Sequence, residues 1–202
     1  METKADEPSV IPDVSEDVYY SLDEDSGWQY LGGELVREPA SFVHEDISDF
    51  LTTLVRIYLS ERGGGVAVGG RFPMRLDPKW SPEPDLQVVR EERRHLITAQ
   101  RLEGPADLVI EVASSSDPRI DLQRKLPRYR EARIPEIWMI DPYEKSIRVE
   151  TLTGGCAGGY DTRILAAGRL ASTVLPGFWI EVGWLWQEPL PPPLACLRQI
   201  FG

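Results

Sequence analysis

The segment Leu108-Val109-Ile110-Glu111-Val112-Ala113 sets one carboxylate inside an otherwise apolar run. A strand this apolar is usually buried on both faces, and a buried carboxylate is costly unless it is paired or coordinates a cation. Two readings follow: a structural ion pair with an arginine, or a cation site. Alternation puts Asp107 and Glu111 on one face, which favours the cation. A second acid, Asp85, begins the run Asp85-Leu86-Gln87-Val88-Val89 after the loop Ser81-Pro82-Glu83-Pro84. Pro-Asp before a strand is by itself an ordinary turn. Two acids at strand positions say more, because adjacent strands bring them within reach of one hard cation with oxygen ligands, above all Mg²⁺. Lys125 falls on a predicted helix, with Asp121 and Tyr129 at four-residue spacing on the same face. If that face packs on the sheet, Lys125 reaches the carboxylates; otherwise it is a surface lysine.

The elements that must position these residues follow from pattern. Trp28 to Leu31, Gly32-Gly33, then Glu34 to Arg37 predicts a hairpin. Ser41 is placed to cap a helix with His44 and Glu45 in its first turns. Ile47, Phe50, Leu51, Leu54, Val55, Tyr58 and Leu59 recur at helical spacing, and Gly63-Gly64-Gly65 ends the helix. Strands are predicted at 66–68, 71–76, 85–89, 108–113, 137–140 and 146–151, and short β segments from there to Trp186. A helix from Asp117-Pro118 towards Ala132 separates two of the strands. Pro127 inside it is expected to kink the helix and shift Lys125. Helix, strands and a strand–helix–strand unit together predict a mixed α/β sheet.

Composition sets outer bounds. The 202 residues suit one domain with a tail. No apolar run is long enough for a membrane span, and the N-terminus is acidic rather than basic-then-apolar, so no membrane partner and a cytoplasmic location are expected. Cys156 and Cys196 make neither a disulfide framework nor a CxxC pair, and with only His44 and His95 a closed Cys/His zinc site is not expected. Residues 1–25 carry nine acids and one base, so most of the net charge of −11 lies there, whereas 119–133 carries six bases against two acids. The division expected is a disordered acidic tail over 1–17, a domain over 18–187 and a Pro-rich tail over 188–202. The basic stretch reads first as a solvated helix face. The tail is expected to repel DNA and to be able to cover that face. Trp138, Trp179, Trp184 and Trp186 are expected in the core or at an interface.

Taken in order, Pro84-Asp85, then Glu111-Val112-Ala113-Ser114, then Asp121, Lys125 and Tyr129, then Ile134-Pro135-Glu136-Ile137-Trp138-Met139-Ile140-Asp141-Pro142 form a set. This set resembles the Uma-type restriction endonuclease family of the PD-(D/E)XK nuclease superfamily. Gly33-Glu34-Leu35-Val36 and His44 are similar to that family's N-terminal hairpin and helix, so the resemblance spans roughly residues 19 to 185. It implies a restriction-endonuclease-like α/β (α+β) fold, a mixed sheet flanked by helices with an N-terminal hairpin. It also implies metal-dependent endonuclease action on DNA. Asp85, Glu111 and the Ala113 backbone carbonyl would hold Mg²⁺, or Mn²⁺ in its place. The superfamily's usual lysine, two residues past the second acid, falls here on Ala113; Lys125 looks like its replacement from the helix. Glu34 and His44 are accessory candidates, and a homodimer is expected by analogy. The alternatives are a weak or inactive relative that binds nucleic acid or protein, and a structural protein whose acids form salt bridges. Convergence of Asp85, Glu111 and Lys125 on a cavity discriminates among them.

Overall fold

The computed structural model describes residues 9–23, 26–38, 41–114, 120–154 and 158–202, with residues 120 and 121 by backbone alone. The predicted hairpin forms as β2 (Gln29–Leu31) and β3 (Leu35–Arg37). Gly32 and Gly33 at φ 72° and 86° make the turn, in the left-handed region that matches strand twist. Around it lie β1 (Ser9–Ile11), the short helix α1 (Glu16–Tyr20) and later β6 (Trp80–Ser81), which with β2 and β3 complete a small sheet in the order β1-β3-β2-β6. Residues 9–17, expected within a disordered tail, are thus built into the fold: β1 pairs with β3, and Glu16 accepts from Arg75 Nε at 2.5 Å. Residues 1–8 lie outside the described residues.

The principal sheet has six strands: β4 (Gly65–Gly69), β7 (Leu86–Arg90), β9 (Leu108–Val112), β10 (Glu136–Asp141), β11 (Ser146–Leu152) and β12 (Tyr160–Leu165). Their order is β12-β11-β10-β9-β7-β4. Only β9 and β10 run parallel, and a helix crosses between them; the other pairs are antiparallel. The chain is therefore mixed α+β, as the strand and helix pattern predicts. Outside this sheet, β5 (Met74–Arg75) pairs with β8 (Leu102–Glu103), so the strand expected over 71–76 shrinks to two residues.

One sheet face carries Leu86, Val88, Leu108, Ile110, Val112, Trp138 and Ile140 against α2 (Phe42–Arg62) and the C-terminal elements. The opposite face carries Val89, Val109, Ile137 and Met139 against Leu126 and Tyr129. Ser41 caps α2 through His44 N at 3.2 Å, and Gly63 ends it at φ 70°. The C-terminal stretch adds β13 (Arg169–Ala171) and β14 (Trp179–Glu181). Helix α4 (Pro193–Phe201) buries Cys196, Leu197 and Ile200, so the segment expected as a Pro-rich tail is partly core. Trp138 is fully buried and Trp184 nearly so, in the core as expected. No helix among the described residues is long and apolar enough to cross a membrane.

The crossover helix runs as a widened π-helical turn over Ile120–Lys125, then as α3 (Leu126–Glu131); residues 115–119 lie outside the described residues. Lys125 has helical φ −74° and ψ −50°, so Pro127 does not break the helix. A proline ring collides with the carbonyl four residues back and donates no N–H; a widened turn relieves both demands. The expected kink is thus absorbed ahead of α3.

Among the described residues the basic stretch is not a free face; Arg119 lies outside them. Arg124 donates to Glu34 and the Leu31 carbonyl, Arg128 reaches Asp77 and Glu131, and Arg133 reaches the Gly158 carbonyl. Arg130 donates to Glu150 at 2.5 Å. Glu150 is fully buried, and also accepts from Thr162 and Arg148. It thereby ties α3 to β11 and β12. Burial alone raises the Glu150 carboxyl, but the hydrogen bonds from Arg130, Thr162 and Arg148 outweigh it and hold it below its ordinary 4.5. A depressed carboxyl stabilises the fold above its unfolded pKa and loses that stabilisation as pH falls through its folded one. Glu150→Gln is therefore expected to cost about 1–3 kcal/mol near neutrality. In urea melts across pH, the gap between variant and parent is expected to close as pH falls below 4.5; a gap constant with pH contradicts this.

Candidate active site

The pairing of β7 with β9 sets Leu86 against Ile110, and one step further the same register brings Asp85 opposite Glu111. Asp85 comes from the loop before β7 and Glu111 from the interior of β9, so adjoining strand ends carry the two acids together. Asp85 Oδ2 accepts from Val112 N at 2.7 Å and Oδ1 faces His44 Nε2 at 3.0 Å. On β9, alternation turns Glu111 towards the crossover helix. There Lys125 Nζ donates to Glu111 Oε2 at 3.1 Å and the Tyr129 hydroxyl donates to Oε1 at 2.5 Å. Glu111 and Lys125 are 2% and 3% exposed, so their pairing is made in the interior. The shared helix face of Lys125 and Tyr129 thus meets the sheet; the Asp121 side chain lies outside the described residues.

These groups open onto a cleft of about 380 Å³. Six carboxylates line it (Glu38, Glu45, Asp49, Glu83, Asp85 and Glu111), against Arg56, Arg71, Lys125 and His44. Its field therefore attracts cations. Burial pushes Glu83 up to about 7, against the opposing influence of the Tyr19 hydroxyl, Lys125 and Arg71. Burial alone would lower His44, but the Asp85 hydrogen bond and the charges of Asp85, Glu45 and Glu111 together outweigh it and hold His44 up at about 9. Its Nδ1 lies 3.3 Å from Glu45 Oε1 without hydrogen-bond geometry.

The other sequence candidates separate. Glu34 does not line the cleft; it accepts from Arg124 at 2.8 Å and so pins the crossover helix one residue before Lys125. Asp107, expected to crowd Glu111, sits at the far end of β9 and accepts from Arg90 N and Arg93, which makes it structural. Ala113, expected to contribute its carbonyl, does not line the cleft: its N–H donates to the Ile140 carbonyl, and together with Glu111, Leu122 and Met139 it lines a second cavity on the same sheet face. Val112 is the strand-end residue whose backbone meets Asp85 and the cleft.

Glu38 and Glu83 were missed. Glu38 Oε2 lies 3.6 Å from Lys125 Nζ and accepts from Gln29 at 2.8 Å, and Glu83 accepts from the Tyr19 hydroxyl at 2.7 Å. Period-two alternation from Glu34 through Val36 to Glu38, and from Asp85 back to Glu83, is the signal that could have found them.

Among the described residues, no three His, Cys, Asp or Glu side chains converge as a ready-made metal cage. The donors to Asp85 and Glu111 in the contacts above are single N–H and O–H groups, and a carboxylate oxygen can accept from such a group and face a cation at once. Two carboxylates with water and substrate oxygens suit Mg²⁺, which keeps much of its hydration, and the acid excess of the cleft suits any divalent cation.

Comparison with known proteins agrees with this fold. The Uma2 family, described as "Putative restriction endonuclease", matches residues 16–183. A crystal structure of a "putative nuclease" from Anabaena variabilis superposes with a TM-score of 0.71 at 14% identity, covering 86% of this chain and 97% of that one. At that identity the likeness is one of fold. No curated protein matches the chain.

Proposed function

The chain belongs to the Uma2 family, and from that premise we propose that it is a Mg²⁺-dependent endonuclease cutting DNA phosphodiester bonds in the cleft between Asp85, Glu111 and Lys125. The observation that carries this reading is the meeting of the two acids across adjoining strand ends, with a buried lysine 3.1 Å from Glu111. Asp85 and Glu111 are the residues to hold the cation, with the backbone at Val112 beside them. When bound, the metal supplies an activated water and polarises a phosphoryl oxygen. Lys125 orients the attacking water or meets the negative charge that develops at phosphorus. Tyr129 fixes the Glu111 carboxylate, and His44 fixes that of Asp85. Arg71 lines the cleft and brings positive charge to it beside Glu83.

A second reading has its own observation. Both carboxylates are already satisfied by donors within the protein, as in a closed network that needs no metal. That arrangement fits an inactive relative acting as a nucleic-acid- or protein-binding module. Calorimetric titration with Mg²⁺ and Mn²⁺ separates the two. The nuclease reading expects saturable binding, weakened about tenfold or more in Asp85→Ala and in Glu111→Ala. Heat that both variants reproduce unchanged would leave the network as structure alone.

A further inference from the structure

We propose that a pocket beside the active cleft receives one unpaired nucleobase of the strand being cut, so that the preferred substrate is single-stranded or locally unpaired. The proposal rests on the endonuclease reading above and names its substrate class. The pocket holds about 180 Å³, with Tyr19, Tyr20 and Phe72 on its walls and Gln100, Arg71 and Glu83 among its polar groups. Arg71 and Glu83 also line the active cleft. The two cavities thus share a wall, and one nucleotide can set its phosphate in the cleft and its base next door.

The pocket is ordered in advance. Tyr19 stacks on Tyr30 with centroids 5.4 Å apart and 14° between planes, and Tyr20 tilts against Tyr19 at 4.8 Å. Both hydroxyls are fastened, Tyr19 to Glu83 and Tyr20 to Ser81, each at 2.7 Å. Arg101 lies 4.3 Å from the Tyr20 ring centroid. Arg71 has φ +64°, a backbone conformation uncommon for a residue with a Cβ and frequent at ligand clamps. The volume is well below the roughly 300–1,000 Å³ of sites for larger ligands; it suits one ring system and excludes a base pair. With Tyr19 and Tyr20 packed on each other, on Tyr30 and under Arg101, Phe72 is the wall that can stack a base, without reading its sequence, and a base still paired in a duplex reaches such a pocket only after leaving its stack.

The test titrates the full chain in EDTA with a short single-stranded DNA carrying one 2-aminopurine, with its duplex, and with RNA of the same sequence. Repulsion from the acidic cleft is stronger for the duplex, which carries more charge per length, so the base is read from the change that the pocket variants make in the ratio of affinities. The expected result is quenching of the unpaired 2-aminopurine and an affinity for the strand about tenfold above that for the duplex. Phe72→Ala is expected to abolish that preference. Ala99→Trp, which fills the mouth from an exposed position, is expected to abolish it without disturbing the core. RNA bound as well as single-stranded DNA supports the base pocket and shows that the sugar is not read. Equal affinity for strand and duplex, or a preference that survives both variants, overturns the proposal. Plasmid nicking in parallel separates the two claims. Nicking without strand preference rejects the pocket alone; a Phe72-dependent preference without nicking rejects the nuclease and keeps the pocket.

Discussion

Lys125→Met is expected to lower metal-dependent nicking by about a hundred- to a thousandfold, the scale of removing one donor aimed at developing charge. The same change is expected to weaken the fold. Lys125 Nζ lies 3.1 Å from Glu111 Oε2 and 3.6 Å from Glu38 Oε2, and its side chain is 3% exposed. Methionine keeps the packing but leaves Glu111 as a buried carboxylate stripped of its ammonium. Breaking a buried pair from one side costs about 3–5 kcal/mol. The two effects can be told apart, because a cation that binds the native state stabilises it by mass action. With the ammonium gone, Mg²⁺ competes only with protons to compensate Glu111, and above the carboxyl's raised pKa it has more to gain there than in the parent. Thermal melts should therefore show Mg²⁺ raising the midpoint of Lys125→Met more than that of the parent. Parental nicking rates in the variant would remove Lys125 from the account.

The second large effect lies away from the cleft. Glu136→Ala is expected to destabilise the protein by about 4 kcal/mol or more, since each buried donor left unsatisfied costs about 1–3 kcal/mol. Glu136 is fully buried. Its Oε2 accepts from the Ser172 hydroxyl, from Thr173 through both N–H and hydroxyl, and from Val174 N, at 2.7–3.1 Å. Its Oε1 accepts from the Trp138 indole at 2.9 Å. No arginine or lysine takes part in these contacts; a cage of neutral donors holds the loop after β13 onto β10. For a chain of this size the loss corresponds to a fall in melting midpoint of roughly 8–16 °C. Glu136 pairs with Leu108, at the end of β9 remote from Glu111. Nicking per folded molecule is thus expected to persist, and a fall of about 1 kcal/mol or less contradicts the cage.

What the sequence made legible follows how locally each feature is encoded. The Gly32-Gly33 hairpin, the Ser41 cap, the Gly63 stop and the strand carrying Glu111 are all written in a few consecutive residues, and each forms where the pattern puts it. Asp85, Glu111 and Lys125 come together because strand register and one helix face bring them there, and both periods can be read from residue spacing. The partners of the acids were harder. Whether an arginine is free or paired depends on contacts across distant segments, such as Arg124 with Glu34 and Arg130 with Glu150. A run of positive charge therefore looked like a surface and proved to be internal fastening. Pro127 misled for a different reason: its rule concerns a regular α-helix, and the turn ahead of it is wider. The acidic N-terminal residues had little to bury by composition, yet β1 and α1 gain order from a sheet edge and from Arg75.

The most direct test of the central claim is cleavage of supercoiled plasmid by the purified protein with Mg²⁺ or Mn²⁺, beside an EDTA control and Glu111→Ala. The account predicts nicking that requires the metal and disappears in Glu111→Ala, whose folding is checked by circular dichroism. Folded parent protein that leaves the plasmid intact with either metal, or nicking that Glu111→Ala retains, would contradict it.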